Sequence, residues 1–233
     1  MDNNNVKYRH ELKYVASQME LALIKNRLDH VISLDSHVKE QGIYTIRSLY
    51  FDDYANRCYE ENESGTDPRE KFRIRIYNGS ASKITLELKK KERGKTLKLS
   101  CPLTEEQCRT LMRGIPLPHD VSYPPLLQKL LMQMRTRLLK PVVIVEYDRV
   151  PYVYRMEDAN VRVTFDMNLT SSENIEDFLE ERIDGRGIFA VDELLMEVKY
   201  DDFLPDEINS LLQLEGLSAS TFSKYYLCRK FKG

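Results

Sequence analysis

Apolar positions recur along this chain with two periods. Over residues 18–34, Met19, Leu23, Ile24, Leu28, Val31 and Ile32 share one face at helical spacing, which predicts an amphipathic helix. A second helix is predicted over 104–113, where Thr104 and Gln107 form a capping-box pair and Gly114 supplies the stop. Residues 125–139 and 206–214 are further helical candidates. Between the helices the apolar residues alternate, predicting strands at 6–15, 44–52, 70–77, 83–90, 95–101, 142–149, 152–157, 160–166 and 193–200. Turn chemistry at Asn78-Gly79, Arg93-Gly94 and Asp158-Ala159-Asn160 separates several of them. Many strands with few helices imply an α+β fold built on a largely antiparallel sheet.

The polar faces of these strands carry the chemical signal. In KFRIRIY, Phe72, Ile74 and Ile76 oppose Lys71, Arg73, Arg75 and Tyr77. Elsewhere Ile84, Leu86 and Leu88 oppose Thr85, Glu87 and Lys89, and Val161, Val163 and Phe165 oppose Arg162, Thr164 and Asp166. A sheet with one wet side alternates in the same way without any function. Here, however, the polar faces hold long basic residues in pairs and Glu-x-Lys triplets, and there are enough helices to cover the apolar side. The sheet is therefore expected to close with its charged face inward. Arg9, Lys13, Arg73, Arg75, Lys89, Lys98, Arg149, Arg162 and Lys199 then face Glu11, Glu87, Asp166 and Glu197. Crowded cations of this kind need counter-ions or a polyanion to offset their repulsion. Arginine and lysine suit phosphate oxygens, and alternate carboxylates suit a divalent metal that bridges phosphates.

Composition narrows the classes. With 42% hydrophobic residues in 233, the chain can build a core, and a single domain over 1–233 is expected. Its 35 Lys+Arg against 37 Asp+Glu give a net charge of −2, which excludes a basic exterior and argues against nucleic-acid binding. Cys58, Cys101, Cys108 and Cys228 show no metal-ligand spacing and read as reduced thiols. With no signal sequence and no membrane-length apolar run, a cytoplasmic location is expected. No GxxxxGK[ST] is present. Asp52-Asp53 reads as a turn cap, 184–187 as a turn, and Tyr225 and Tyr226 as packing, while His10 falls on the strand face opposite Lys13.

KYRHELKY at the start, SLYFDD at 48–53, KFRIRIY, LELKKK, MEVKY and the terminal FSKYYL together resemble the VTC domain. This is the polyphosphate polymerase module of the triphosphate tunnel metalloenzyme (CYTH-like) superfamily, and the resemblance runs from about residue 6 to 230. It implies an α+β fold, mainly an antiparallel β-barrel with a charged interior and helices packed outside. It further implies that ATP donates its γ-phosphate to a growing inorganic polyphosphate chain with Mn²⁺ or Mg²⁺ as cofactor, polyphosphate or pyrophosphate being the other ligand. The family's motifs place catalytic roles on Arg73, Arg75, Lys89, Arg149 and Arg162. Substrate-binding roles fall on Lys13, Lys98, Tyr147, Lys199, Ser223 and Lys224, and the metal on Glu197. Hydrolytic relatives begin Glu-x-Glu-x-Lys, whereas this chain has Arg9 at the first of those positions. That departure favours the polymerase over a triphosphatase, the alternative on the same scaffold; a non-catalytic polyphosphate binder is the third reading. The SPX domain and membrane helices of the eukaryotic assemblies are missing from this sequence, which leaves regulation and any membrane-protein partner open.

Overall fold

A computed structural model describes residues 8–36, 38, 42–156, 159–189, 193–213, 217, 219–221 and 223–230. Residues 6–7, 157–158 and 214 of the predicted elements lie outside this set. The first strand, β1 (His10–Ser17), leads directly into helix α1 (Gln18–Leu28). Ser17 and Glu20 form a reciprocal capping box that satisfies first-turn N–H groups and fixes this junction. The helix ends six residues short of the predicted 34. Asp29 caps it, and the Asp29 carboxylate accepts a 2.6 Å hydrogen bond from Tyr152 Oη.

A short strand β2 (Ser33–Leu34) and a long one, β3 (Tyr44–Asp52), precede a helix α2 (Arg57–Glu63) that no apolar period announced. Two hairpins follow through β4 (Arg69–Tyr77), β5 (Ser80–Glu92) and β6 (Lys95–Leu103). Their tips are the Asn78-Gly79 and Arg93-Gly94 pairs, all at positive φ, as tight hairpin turns between twisted strands require. Helices α3 (Glu105–Met112) and α4 (Pro125–Thr136) come next, α3 with the Thr104–Gln107 capping box in place.

The segments predicted at 142–149 and 152–157 are one strand, β7 (Lys140–Arg155). Pro151 is tolerated mid-strand because the partner on one side changes there, from β3 at Arg149 to β2 at Tyr152. After β8 (Asn160–Ser172) come a 3₁₀ turn (Ile175–Leu179), β9 (Arg186–Gly187), β10 (Glu193–Tyr200), α5 (Asp206–Leu212) and α6 (Lys224–Lys230).

The main sheet runs β1-β10-β8-β7-β3-β4-β5-β6, antiparallel throughout. It curls until its first and last strands meet. Arg9, just ahead of β1, and Thr96 of β6 exchange two backbone hydrogen bonds of 2.9 Å. On the outside, Phe72, Ile74, Leu86 and Leu88 pack with Leu111 of α3 and Leu127 and Leu130 of α4. Val161, Val163 and Val198 pack with Ile24 and Leu28 of α1 and Ile208 of α5. A third apolar cluster, including Ile46, Val145 and Leu195, joins Tyr225 and Cys228 of α6. In the first two clusters the apolar residues are the ones read from the alternation, so the charged residues between them face the inside of the curl. The third cluster lies on that inner face, where Ile46, Val145 and Leu195 share the parity of Tyr50, Tyr147 and Glu197 and pack against α6.

Candidate active site: a basic cavity inside the barrel

Strand alternation and curl together gather charge around a cavity of about 270 Å³. Among the described residues, ten basic side chains line it against two carboxylates, Glu11 and Glu197. Of the predicted site residues, Lys13, Arg73, Arg75, Lys89, Tyr147, Arg149, Glu197, Lys199, Ser223 and Lys224 all line this space. They arrive from β1, β4, β5, β7, β10 and the N-terminus of α6.

Each half of the wall is organised by carboxylates. On one side Glu87, buried in β5, accepts from Arg73 Nε at 2.8 Å and pairs with Arg75 Nη1 at 3.6 Å and Lys98 Nζ at 3.1 Å. Arg73 also donates to Tyr50 Oη at 2.9 Å, and Arg75 to Ser48 Oγ at 3.1 Å, so both guanidinium groups are oriented before any ligand arrives. Burial pushes the Glu87 carboxyl up, but the three cations outweigh it and hold it low.

Across the cavity, Asp166 binds Arg149 through two bonds of 2.6 and 2.7 Å. Lys224 bridges Asp166 at 2.6 Å and Glu197 at 2.8 Å, tying α6 to the barrel wall. Glu197 also accepts from Lys199 at 2.9 Å. Burial raises the Glu197 carboxyl, yet Lys199, Lys224, Lys13 and Arg149 keep it well below the usual carboxylate range. Glu11 follows the same pattern: burial raises it, and Lys89 at 2.6 Å together with Lys13 and Lys199 bring it down. Tyr147 lies under two cations, Arg149 at 5.3 Å and Lys224 at 4.8 Å from its ring centroid. Its hydroxyl is raised by burial, but Arg149 and Arg75 bring it below its ordinary value.

Two predicted residues stand elsewhere. Lys98 shares the inner face with its cross-strand partner Lys89 but lies outside the cavity, its side chain 52% exposed, and reaches the site only through Glu87. Arg162 pairs with Asp35 at 3.0 Å and lines a second cavity of about 440 Å³, together with Arg9, Arg155 and Asp201. Lys199 borders both spaces. Arg9 is half exposed and pairs with Asp201 at 2.9 Å, so its charge belongs to this second cavity. Conversely, Tyr50, Arg69, Lys71 and Lys91 line the main cavity without having been singled out for the site. The signal for three of them was present: Arg69 and Lys71 continue the Arg73–Arg75 face backward along β4, and Lys91 continues Lys89.

The remaining sequence readings fall outside the cavity. His10 stacks on Tyr200 with ring centroids 4.9 Å apart. Asp52 accepts from the backbone N–H groups of Cys58 at 2.9 Å and Tyr59 at 3.2 Å, and Asp53 from that of Arg57 at 3.0 Å, so this pair caps α2. The 184–187 segment contributes β9, which pairs with β8.

A divalent cation can be tested against these donors. No cluster of three or more His, Cys, Asp or Glu side chains occurs among the described residues. Glu197 and Glu11 are the carboxylates on the cavity wall, Glu197 held by the ammonium groups of Lys199 and Lys224, and Lys199 shared with Glu11 at 3.4 Å. That donor set fits a hard cation whose other ligands are phosphate oxygens and water.

The family model for the VTC domain matches residues 8–231. No curated protein matches the chain by sequence. Among solved structures, a Hippeastrum protein described as an adenylyl cyclase candidate with a dominant triphosphatase activity is similar at 16% identity and a TM-score of 0.51, covering 96% of each chain. A candidate adenylate cyclase from Bacillus halodurans is similar at 13% identity and TM-score 0.48, over 89% of this chain and 87% of its own. The PH1819 protein of Pyrococcus horikoshii OT3 is similar at 15% identity and TM-score 0.48, over 96% of this chain and 100% of its own. These likenesses concern the fold.

Proposed function

As the chain belongs to the VTC domain family, we propose that it is an ATP–polyphosphate phosphotransferase that lengthens inorganic polyphosphate inside the barrel, its 233 residues acting as one unit. The observation that carries this reading is the ten-to-two excess of basic over acidic side chains lining an internal cavity, in a chain whose net charge is −2. A phosphate chain is the ligand that such a lining selects.

In the reaction, an oxygen of the terminal phosphate of the polymer attacks the γ-phosphorus of ATP. The bond from γ-phosphorus to the bridging oxygen breaks, and ADP leaves with that electron pair. A phosphate oxyanion is already a nucleophile, so no general base is required, in keeping with a cavity that no described histidine lines. Arg73, Arg75, Lys89 and Arg149 hold the transferred group and offset the charge that develops on its oxygens. Their carboxylate and hydroxyl partners fix them in place, which removes reorganisation cost from the step. Lys13, Tyr147, Lys199, Ser223 and Lys224 align the chain. Arg162, with Arg9, extends the basic path into the second cavity, and Lys98 supports Arg73 and Arg75 through Glu87. Glu197, helped by Glu11, would hold Mn²⁺ or Mg²⁺, which when bound supplies charge neutralisation across adjacent phosphates.

Hydrolysis on the same scaffold requires an activated water. Arg9 stands where hydrolytic relatives carry a carboxylate, and the remaining Glu11 is engaged by Lys89 and Lys199. This supports transfer over hydrolysis. The four cysteines are free thiols, which agrees with a cytoplasmic protein. No helix among the described residues is long and apolar enough to cross a membrane.

The test is incubation of the purified chain with ATP and Mn²⁺, with products resolved by length on a gel. A ladder of acid-labile polymer is expected. Free phosphate in proportion to ATP consumed, without polymer, would replace this reading with a triphosphatase. Tight polyphosphate binding without ATP turnover would replace it with a binder.

A further inference from the structure

Lys71 lies on the cavity wall in β4, two residues before Arg73. Its ammonium donates to Ser223 Oγ at 3.3 Å and Asn62 Oδ1 at 3.5 Å and sits 5.1 Å from the centroid of the Tyr225 ring. Lys89, Lys199 and Lys224 each reach a carboxylate within 3 Å. Lys71 makes no ion pair with any described residue. The groups that face it are two further cations, Lys89, its cross-strand partner on β5, and Lys13 of β1, together with its strand neighbour Arg69 and the Cys58 thiol of α2. Burial pushes that thiol up, so it stays neutral.

We propose that Lys71 is a further anion-contacting residue of this cavity, the cation beside Ser223 that receives an oxygen of the bound phosphate chain. The proposal deepens the phosphate-cavity reading above and rests on it. A half-buried ammonium with hydroxyl, amide and aromatic neighbours but no counter-ion among the described residues is incompletely neutralised, and a phosphate oxygen is the missing partner. Burial, then repulsion from Lys89 and Lys13, lowers the Lys71 ammonium to about 7. An anion at contact distance reverses that balance, so the residue takes up a proton as the chain binds. Ser223 makes the contact consequential beyond the cavity. Its hydroxyl accepts from Tyr226 N–H at 3.1 Å and so caps α6, whose first residue, Lys224, bridges Asp166 and Glu197. Ligand at Lys71 therefore arrives at the joint that seats α6.

The experiment is calorimetric titration of the full chain with inorganic tripolyphosphate, without metal, at pH 6.5, 7.5 and 8.5 in pairs of buffers of different ionisation enthalpy. Wild type is expected to take up protons above pH 7. Lys71→Met is expected to bind about 10-fold or more weakly and to take up as much as one proton fewer, on the scale of one charge-assisted hydrogen bond. Lys71→Arg, always charged, should hold affinity within a few fold while losing the same proton uptake. Wild-type affinity and uptake in Lys71→Met would overturn the proposal and leave the phosphate cavity standing. No tripolyphosphate binding by wild type would overturn both. If Lys71→Met melts early, Lys71→Arg decides: weakened affinity with unchanged uptake overturns the assignment. Failure to make polymer, with these titrations as expected, would remove the polymerase and keep Lys71.

Discussion

Three of the ten cavity cations converge on Glu197: Lys199 at 2.9 Å, Lys224 at 2.8 Å and Arg149 at 3.6 Å. Glu197→Gln keeps the shape and removes the charge. Turnover with ATP and Mn²⁺ is expected to fall by about 10²–10³, the scale of losing one preorganised electrostatic group. Tripolyphosphate binding without metal is expected to hold or tighten, because the lining becomes more positive. Equal loss of both would show Glu197 to be a scaffold for the lysines only. Arg73→Ala combined with Arg75→Ala should abolish turnover, but at a cost in stability. It strips Glu87 of two of its three partners, and an uncompensated buried carboxylate is destabilising by roughly 3–5 kcal/mol. Thermal melts would separate that loss from the loss of catalysis. At this scale the sequence was legible wherever strand alternation assigned a face: Arg73, Arg75, Lys89 and Glu197 follow from period alone. Period does not assign depth along the barrel. Lys98 and Arg162 share the inward face yet sit beside the exposed edge of β6 and in the second cavity.

Among the elements, those with a strong period or a cap were readable and the short polar ones were not. The Thr104–Gln107 box predicted the start of α3, and both of its bonds are present. Thr104→Ala should cost about 1 kcal/mol in denaturant unfolding, with phosphate binding unchanged. Helix α2 reads RCYEENE, seven residues without an apolar stripe, and is held by tertiary contacts instead. Asp52 caps α2 and also accepts a short hydrogen bond from Tyr225 Oη in α6. Such a junction between distant segments leaves only a polar dipeptide as its trace in the sequence. Asp52→Ala is expected to lower stability by roughly 1–3 kcal/mol, the range for an unsatisfied buried network. It should also weaken tripolyphosphate binding, because Lys224 and Ser223 ride on α6. Weaker stability with wild-type affinity would mean that α6 seats itself without α2.

For the whole molecule, the balance of 35 basic to 37 acidic residues conceals a sorting by place. Setting aside the ten cavity cations and two carboxylates leaves 25 against 35 for the rest of the chain. On the proposed function phosphate chains are drawn to one internal space, and retention on double-stranded DNA should be negligible at physiological salt. The same arrangement sets the acid limit of the fold. Glu11, Glu87, Asp166 and Glu197 are raised by burial, but their cationic partners lower them further, so each ends below its usual range. Between those folded values and the unfolded ones near pH 4, the unfolded chain binds more protons, so stability rises with pH there. The melting temperature should be level between about pH 5 and 7 and drop steeply as pH falls from 4 toward 2. A flat profile down to pH 3 would show that these ion pairs contribute nothing to the fold. Finally, consider the bridge from Lys224 to Asp166 and Glu197. It makes the first residue of α6 the counterweight that gives the deep end of the barrel its sign. A protease nick or a fusion that lifts this one helical turn would take a cation from two neighbouring carboxylates at once and leave Arg149 and Lys199 to hold them alone. The grip on phosphate at that end would weaken without disturbing a single strand.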